Sequence, residues 1–133
     1  MPKFQKAIVV EDNEPTRKLI CMALEAQGIK EVICAENGEN ALQALASAAV
    51  DIAIVDWQME VMDGIEFTKN VRNGYRNIDP KTPILMLTGV HGVDAKHQAY
   101  ASGVDLFMNK PFSMKMLFEG LKNLIHKDVS PAN

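Results

Sequence analysis

Cysteine is scarce: only Cys21 and Cys34 occur, and they are not in CxxC spacing. That excludes a disulfide-stapled scaffold and a thiolate metal centre, and both are expected to be reduced, buried, inert thiols in a cytoplasmic protein. A basic run is also missing. Lys and Arg number 14 against 17 Asp and Glu, a net charge of −3, which argues against nucleic acid or an anionic membrane as a direct partner. No apolar stretch approaches the ~18 residues of a membrane span. The N-terminus, MPKFQKAIVVEDNE, lacks the small-residue cleavage site of a signal peptide. His91, His97 and His126 share no metal-ligand spacing and read as surface residues. Repeats and low-complexity segments are absent.

What is present is an ordinary globular composition, 47% hydrophobic and 23% charged, over 133 residues. That length makes one domain, able to bury a core without staples. Five short apolar runs alternate with five longer segments: Lys6–Val10, Glu31–Ala35, Asp51–Val55, Pro83–Leu87 and Leu106–Asn109. The first, third and fourth lack period-2 alternation, as strands covered on both faces do. The segments between them have helical spacing. Leu19, Ile20, Ala23 and Leu24 share one face, with Gly28 as a stop; Ala41, Leu42, Leu45 and Ala48 share another. Phe67, Thr68 and Val71 follow the turn MDG, and a fourth helix is expected over about 94–102, ended by Gly103. Ser113 would cap a last helix carrying Met114, Leu117, Leu121, Leu124 and Ile125. The eight methionines read mostly as core filler. Residues 72–82 (RNGYRNIDPKT) read as a loop.

The pattern is (βα)5, an α/β fold with parallel strands and right-handed crossovers. Five units cannot close an eight-stranded barrel. The remaining solution is a doubly wound parallel five-stranded sheet, flavodoxin-like, in the order 2-1-3-4-5. Such sheets hold their sites at the carboxyl ends of the strands. There the sequence places Glu11 and Asp12, then Asp56, then Thr88 and Gly89, then Lys110 and Pro111.

Three carboxylates on one rim repel unless cations join them. Lys110 supplies one positive charge; the remainder asks for a divalent metal. Only oxygen ligands are on offer, which suits Mg²⁺, with Mn²⁺ as a substitute. Mg²⁺ completes its shell with water and phosphate, so the substrate would carry a phosphoryl group. Asp56 would attack phosphorus in line and form an aspartyl phosphate. Charge on the equatorial oxygens would be met by the metal on Asp12 and Asp56, by Lys110, and by the Thr88 hydroxyl with nearby amides. Gly89 leaves room for the incoming group. The Lys110–Pro111 bond is expected to be cis, aiming the ammonium inward.

The pieces VVEDNE (Val9–Glu14), IVDWQMEVMDGIEF (Ile54–Phe67), PILMLTG (Pro83–Gly89) and GVDLFMNKPF (Gly103–Phe112) resemble the receiver domain of two-component response regulators. The likeness runs from about Lys6 to Ile125, so residues 1–127 are taken as the receiver domain and 128–133 as a polar tail expected to be disordered. The resemblance implies Asp56 as phosphoacceptor, Asp12 as a direct metal ligand, Glu11 as a ligand through water, and the backbone carbonyl of Gln58 as a further ligand. It implies Thr88 as switch hydroxyl, Phe107 as switch aromatic and Lys110 as the site lysine. The donor would be a phosphohistidine on a sensor histidine kinase or a histidine phosphotransfer protein. Phosphate on Asp56 would draw the Thr88 hydroxyl inward, and Phe107 would turn into the space, reshaping the face made by the fourth helix, fifth strand and fifth helix. The protein would catalyse only its own phosphorylation and dephosphorylation. With no apolar patch on that face legible in the sequence, a monomer or weak dimer is expected. The downstream partner would be a protein, not a nucleic acid or membrane.

Rival activities fit less well. An aspartate-nucleophile phosphatase needs an acid two residues after the nucleophile, where this chain has Gln58. A flavin module needs a Ser/Thr/Gly-rich phosphate loop after the first strand, where EDNEP would repel phosphate. A degenerate receiver used only as an adaptor would not keep every chemical residue. A stand-alone receiver, a phosphorelay intermediate and a piece of a longer regulator all remain open.

The chain departs from the family pattern at four places. Glu60 stands where proline is common, which is expected to loosen its loop. Gln58 and Val90 occupy positions that tune phosphoryl lifetime, and the 72–82 loop is longer than usual. Val90 is expected to restrict the attacking water. A Val90→Glu variant, timed for loss of phosphate from Asp56, should therefore dephosphorylate faster than wild type; equal lifetimes would refute the idea.

Overall fold

The computed structural model describes residues 4–126. Strands β1 (Lys6–Val10), β2 (Glu31–Ala35), β3 (Ile52–Asp56), β4 (Ile84–Thr88) and β5 (Leu106–Asn109) alternate with helices α1 (Glu14–Ala26), α2 (Gly38–Ser47), α3 (Gly64–Arg72), α4 (Val93–Ser102) and α5 (Met114–Ile125). All neighbouring strands pair in parallel, in the order β2-β1-β3-β4-β5. The expected topology is therefore found. The proposed tail, 128–133, lies outside the described residues.

The sheet divides two cores. Ile8, Val10, Ala53, Val55, Ile84 and Met86 point to the side covered by α2, α3 and α4. Ala7, Val9, Ile52, Ile54, Leu85 and Leu87 point to the side covered by α1 and α5. This double coverage is why β1, β3 and β4 read as continuous apolar runs. Four helices open on a side-chain cap: Asn13 accepts from Thr16 N, Asn37 from Asn40 N, Asp63 from Glu66 N and Ser113 from Met116 N. Helix α4 has no such cap and starts after Gly92, at φ 116°.

Several expectations shift. β3 and β4 each begin and end one residue later than the apolar runs, so Asp56 and Thr88 are the last strand residues and not the first loop residues. Ladder hydrogen bonds define the strand, and polarity of the final side chain does not interrupt them. Leu19 and Met114 fall at the margins of their apolar stripes and are 43% and 37% exposed. Among the described methionines only Met86 is fully buried, while Met22 and Met116 are more than half exposed. Cys34 is exposed on the edge strand β2, and Cys21 is half-buried on α1.

The 72–82 segment contains a short 3-10 turn, Tyr75–Asn77, and is anchored by Arg72. Its guanidinium donates to the carbonyls of Pro80 (2.8 Å), Thr82 (2.6 Å) and Gly103 (2.8 Å) and pairs with Asp105 at 2.8 Å. Asp105 also accepts from Ile84 N at 2.8 Å. One planar donor fork thus ties the end of α3 to the starts of β4 and β5.

Gly64 opens α3 directly beneath the end of β3. A Cβ there would lie 2.6 Å from the Asp56 carbonyl oxygen and 2.9 Å from Trp57 Cα. Backbone atoms cannot swing aside, so Gly64→Ala must push α3 away from the strand. It should lower unfolding free energy by roughly 1–3 kcal/mol in urea titration, the cost of overpacking; unchanged stability would show that the contact relaxes freely.

Candidate functional site

Each side chain of the site arrives from the carboxyl end of a strand. Glu11 follows β1 immediately and is 1% exposed. Its backbone is held on both sides: its N–H donates to Ala35 O at 3.0 Å, and its carbonyl accepts from Arg17 Nη1 at 2.8 Å. Its Oε2 accepts from Asn13 N at 3.1 Å. Asp12 is exposed beside it. Asp56 closes β3 and is 5% exposed. Lys110 follows β5, with its N–H donating to Thr88 O at 2.7 Å. The Lys110–Pro111 bond is cis, as expected.

The ammonium of Lys110 reaches two carboxylates at once, Asp56 Oδ2 at 3.2 Å and Glu11 Oε1 at 3.3 Å. Glu11, Asp12 and Asp56 each place one carboxylate oxygen within 4.8 Å of the others. Burial raises the Glu11 carboxyl above its ordinary 4.5, and the neighbouring charge of Asp56 raises it further; the Asn13 N–H and Lys110 offset only part. Burial disfavours the Lys110 charge, yet Asp56 and then Glu11 outweigh that and lift it above 10.5. Three carboxylates against one ammonium leave uncompensated negative charge among hard oxygen donors. That donor set fits Mg²⁺ or Mn²⁺ and does not fit zinc. An open cleft of about 460 Å³, lined by Asp12, Trp57, Gln58, Glu60 and Asp63, lies alongside.

Thr88 is fully buried, and its hydroxyl accepts from Val90 N at 2.9 Å. Phe107 on β5 is half-buried against the α2–α3–α4 core. Its ring tilts 54° against Tyr100, with centroids 6.3 Å apart, and its N–H donates to the Tyr100 hydroxyl at 3.2 Å. Gln58 folds its side chain towards Gly89, with Oε1 3.7 Å from where a Cβ would stand. The Glu60 carbonyl accepts from Met62 N at 2.8 Å around Val61, which is held at φ 71°. That is a tight three-residue turn in which a β-branched residue is strained.

Some partners escaped the sequence reading. Asn109 donates from Nδ2 to Val90 O at 2.8 Å, tying the loop after β4 to the end of β5. His91 Nε2 lies 3.1 Å from Lys110 O across the same gap. Neither contact has a sequence signal, because both depend on two loops meeting across the sheet edge. Arg17 had one: an Arg in the first turns of the helix after an acidic pair. His91, His97 and His126 are all exposed.

The Glu11 shift has a definite sign. Between 4.5 and its raised value the folded state holds more protons than the unfolded state, so stability falls as pH rises through that interval. Lys110 works at the other end. Its contribution is complete below 10.5 and is lost as pH climbs through the folded value. In chelator, wild type should therefore lose urea stability relative to Glu11→Gln as pH rises above 4.5, and Mg²⁺ at neutral pH should recover it. A difference that does not vary with pH would contradict this.

Comparison with known proteins agrees with the geometry. The family profile of the response regulator receiver domain matches residues 7–122. The heme response regulator HssR of Staphylococcus haemolyticus is 34% identical over 122 residues, covering 92% of this chain and 52% of that protein. The phosphate regulon transcriptional regulatory protein PhoB of Pseudomonas aeruginosa is 32% identical over 120 residues, covering 90% and 51%. This chain spans about half the length of these curated relatives. Among solved structures, the chemotaxis response regulator CheY4 of Vibrio cholerae superposes with a TM-score of 0.81 at 33% identity, covering 92% of this chain and 99% of that one. A putative response regulator from Chloroflexus aurantiacus gives 0.82 at 29% identity, covering 92% and 98%. On its fold, its acidic strand-end cluster and these matches, the chain belongs to the response regulator receiver domain family, the signalling modules of two-component systems.

Proposed function

We propose that Asp56 is the phosphoacceptor of a Mg²⁺-dependent receiver that takes its phosphoryl group from a phosphohistidine donor in the cytoplasm. The donor is a sensor histidine kinase or a histidine phosphotransfer protein. The observation that carries this reading is the single ammonium of Lys110 shared by Asp56 and Glu11 at 3.2 and 3.3 Å, inside a three-carboxylate cluster that one ammonium cannot neutralise.

A carboxylate oxygen of Asp56 attacks phosphorus, the P–N bond to the donor imidazole breaks, and the imidazole leaves carrying its proton. Lys110 lies against the attacking carboxylate and is placed to follow the phosphoryl charge. Glu11, Asp12 and Asp56 would hold the cation, with the Gln58 carbonyl added. When bound, Mg²⁺ supplies positive charge to the phosphoryl oxygens. The Thr88 hydroxyl gives up its bond from Val90 N and donates to a phosphoryl oxygen, drawing the loop after β4 inward. Phe107 then turns away from Tyr100 into the vacated space, and the α4–β5–α5 face presents a new surface to a downstream protein. Hydrolysis of the aspartyl phosphate resets the site. The chain turns over no external substrate.

Incubation with a small acyl or amido phosphate and Mg²⁺, read by intact mass, tests this. Wild type should gain one phosphoryl group, lose it slowly on standing, and gain none in chelator, while Asp56→Asn should gain none at all. A phosphoryl group on Asp56→Asn would overturn the assignment.

A further inference from the structure

We propose that Cys21 and Cys34 are a redox-active thiol pair, able to close to a disulfide between α1 and β2 when a peroxide-class oxidant is present. The two residues are far apart in sequence but line one open cavity of about 380 Å³ with Arg17, Met22 and Glu25. Both are free thiols, Cys34 exposed on the edge strand and Cys21 half-buried on the helix facing it. Burial, and then the adjacent Cys34 thiol, push Cys21 up to about 11. Cys21 is therefore protonated at neutral pH, and the accessible Cys34 reacts first.

The chemistry balances in two steps. The Cys34 thiolate attacks a peroxide oxygen, the O–O bond breaks, and one water (or alcohol) leaves, giving a sulfenic acid. Cys21 sulfur then attacks Cys34 sulfur. The S–O bond breaks, and the hydroxide leaves as water with the Cys21 proton. The pair loses two electrons and two protons, and the peroxide is reduced. With Cys21 pushed up to about 11, more of it becomes thiolate as pH rises, so the second step accelerates with pH.

The pair brackets a residue of the acidic cluster. Ala35, next after Cys34, accepts from Glu11 N, and Arg17, one helical turn before Cys21, donates to Glu11 O. A covalent tie between α1 and β2 would act on both contacts at once. This consequence for metal binding rests on the reading of the acidic cluster given above; the disulfide itself does not.

The full chain is treated with hydrogen peroxide, alkylated and digested without reductant. Exposed methionines also take up oxygen, so the readout is the cross-linked peptide and not the intact mass. Wild type should yield a reductant-sensitive Cys21–Cys34 cross-link in a monomer, formed faster as pH rises. Cys34→Ser, a surface change, should yield none, and Cys21→Ser should trap a Cys34 sulfenic acid that dimedone captures. Oxygen adducts on wild-type Cys34 without the cross-link, or Cys34–Cys34 dimers in its place, would overturn the proposal. Trp57 fluorescence then reports Mg²⁺ binding. Oxidised protein should differ from reduced by about fivefold or more in apparent affinity, and identical curves would overturn the link to Glu11. No Mg²⁺ response in the reduced protein would instead count against the receiver chemistry of Asp56.

Discussion

Lys110 holds Asp56 and Glu11 together, at 3.2 and 3.3 Å, and most of the surrounding architecture serves that contact. Two carboxylates that are 1% and 5% exposed cannot share a rim without compensation. The lysine provides part of it. Burial, and then the charge of Asp56, still leave the Glu11 carboxyl raised, and the three carboxylates keep a hard-oxygen donor set that suits a small hard cation. The sheet order puts β1 beside β3, so Glu11 and Asp56 are neighbours, and β4 bridges to β5, which brings Lys110 back across. The ladder bond from Lys110 N to Thr88 O extends that pairing one residue past the strand end.

The loop after β4 is restrained in the same economical way. Its carbonyl at Val90 is held by Asn109, its amide at Val90 by the Thr88 hydroxyl, and His91 sits against the Lys110 carbonyl. These are few and partly exposed contacts. Phe107 on β5 and Tyr100 on α4 pack as tilted rings beside the same strand pair.

Much of this was legible in the residues. Continuous apolar runs announced strands covered on both faces, and Gly28, Gly103 and Ser113 marked helix ends where the structure has them. Glu11, Asp12, Asp56 and Lys110 were legible because all four stand at strand ends that this sheet order brings to one rim. The errors of burial have one common source. Leu19, Met114 and Cys34 are apolar or weakly polar residues at the margins of covered faces, and periodicity does not report how far a neighbouring helix reaches. The tight turn at Val61, closed by a backbone bond from Met62 N to the Glu60 carbonyl, carried no signal in the residues.

The sequence by itself determined the alternation of strands and helices, their parallel sense, and the kind of chemistry the strand ends could support. Hydrophobic period and residue type are local properties, so they survive in one dimension. Only the tertiary structure decided which charges share an ammonium, that Arg72 binds three carbonyls of distant segments, and that Cys21 and Cys34 face one cavity. Those facts depend on where loops cross and how closely helices sit on the sheet, and both are set by packing between residues far apart in the chain.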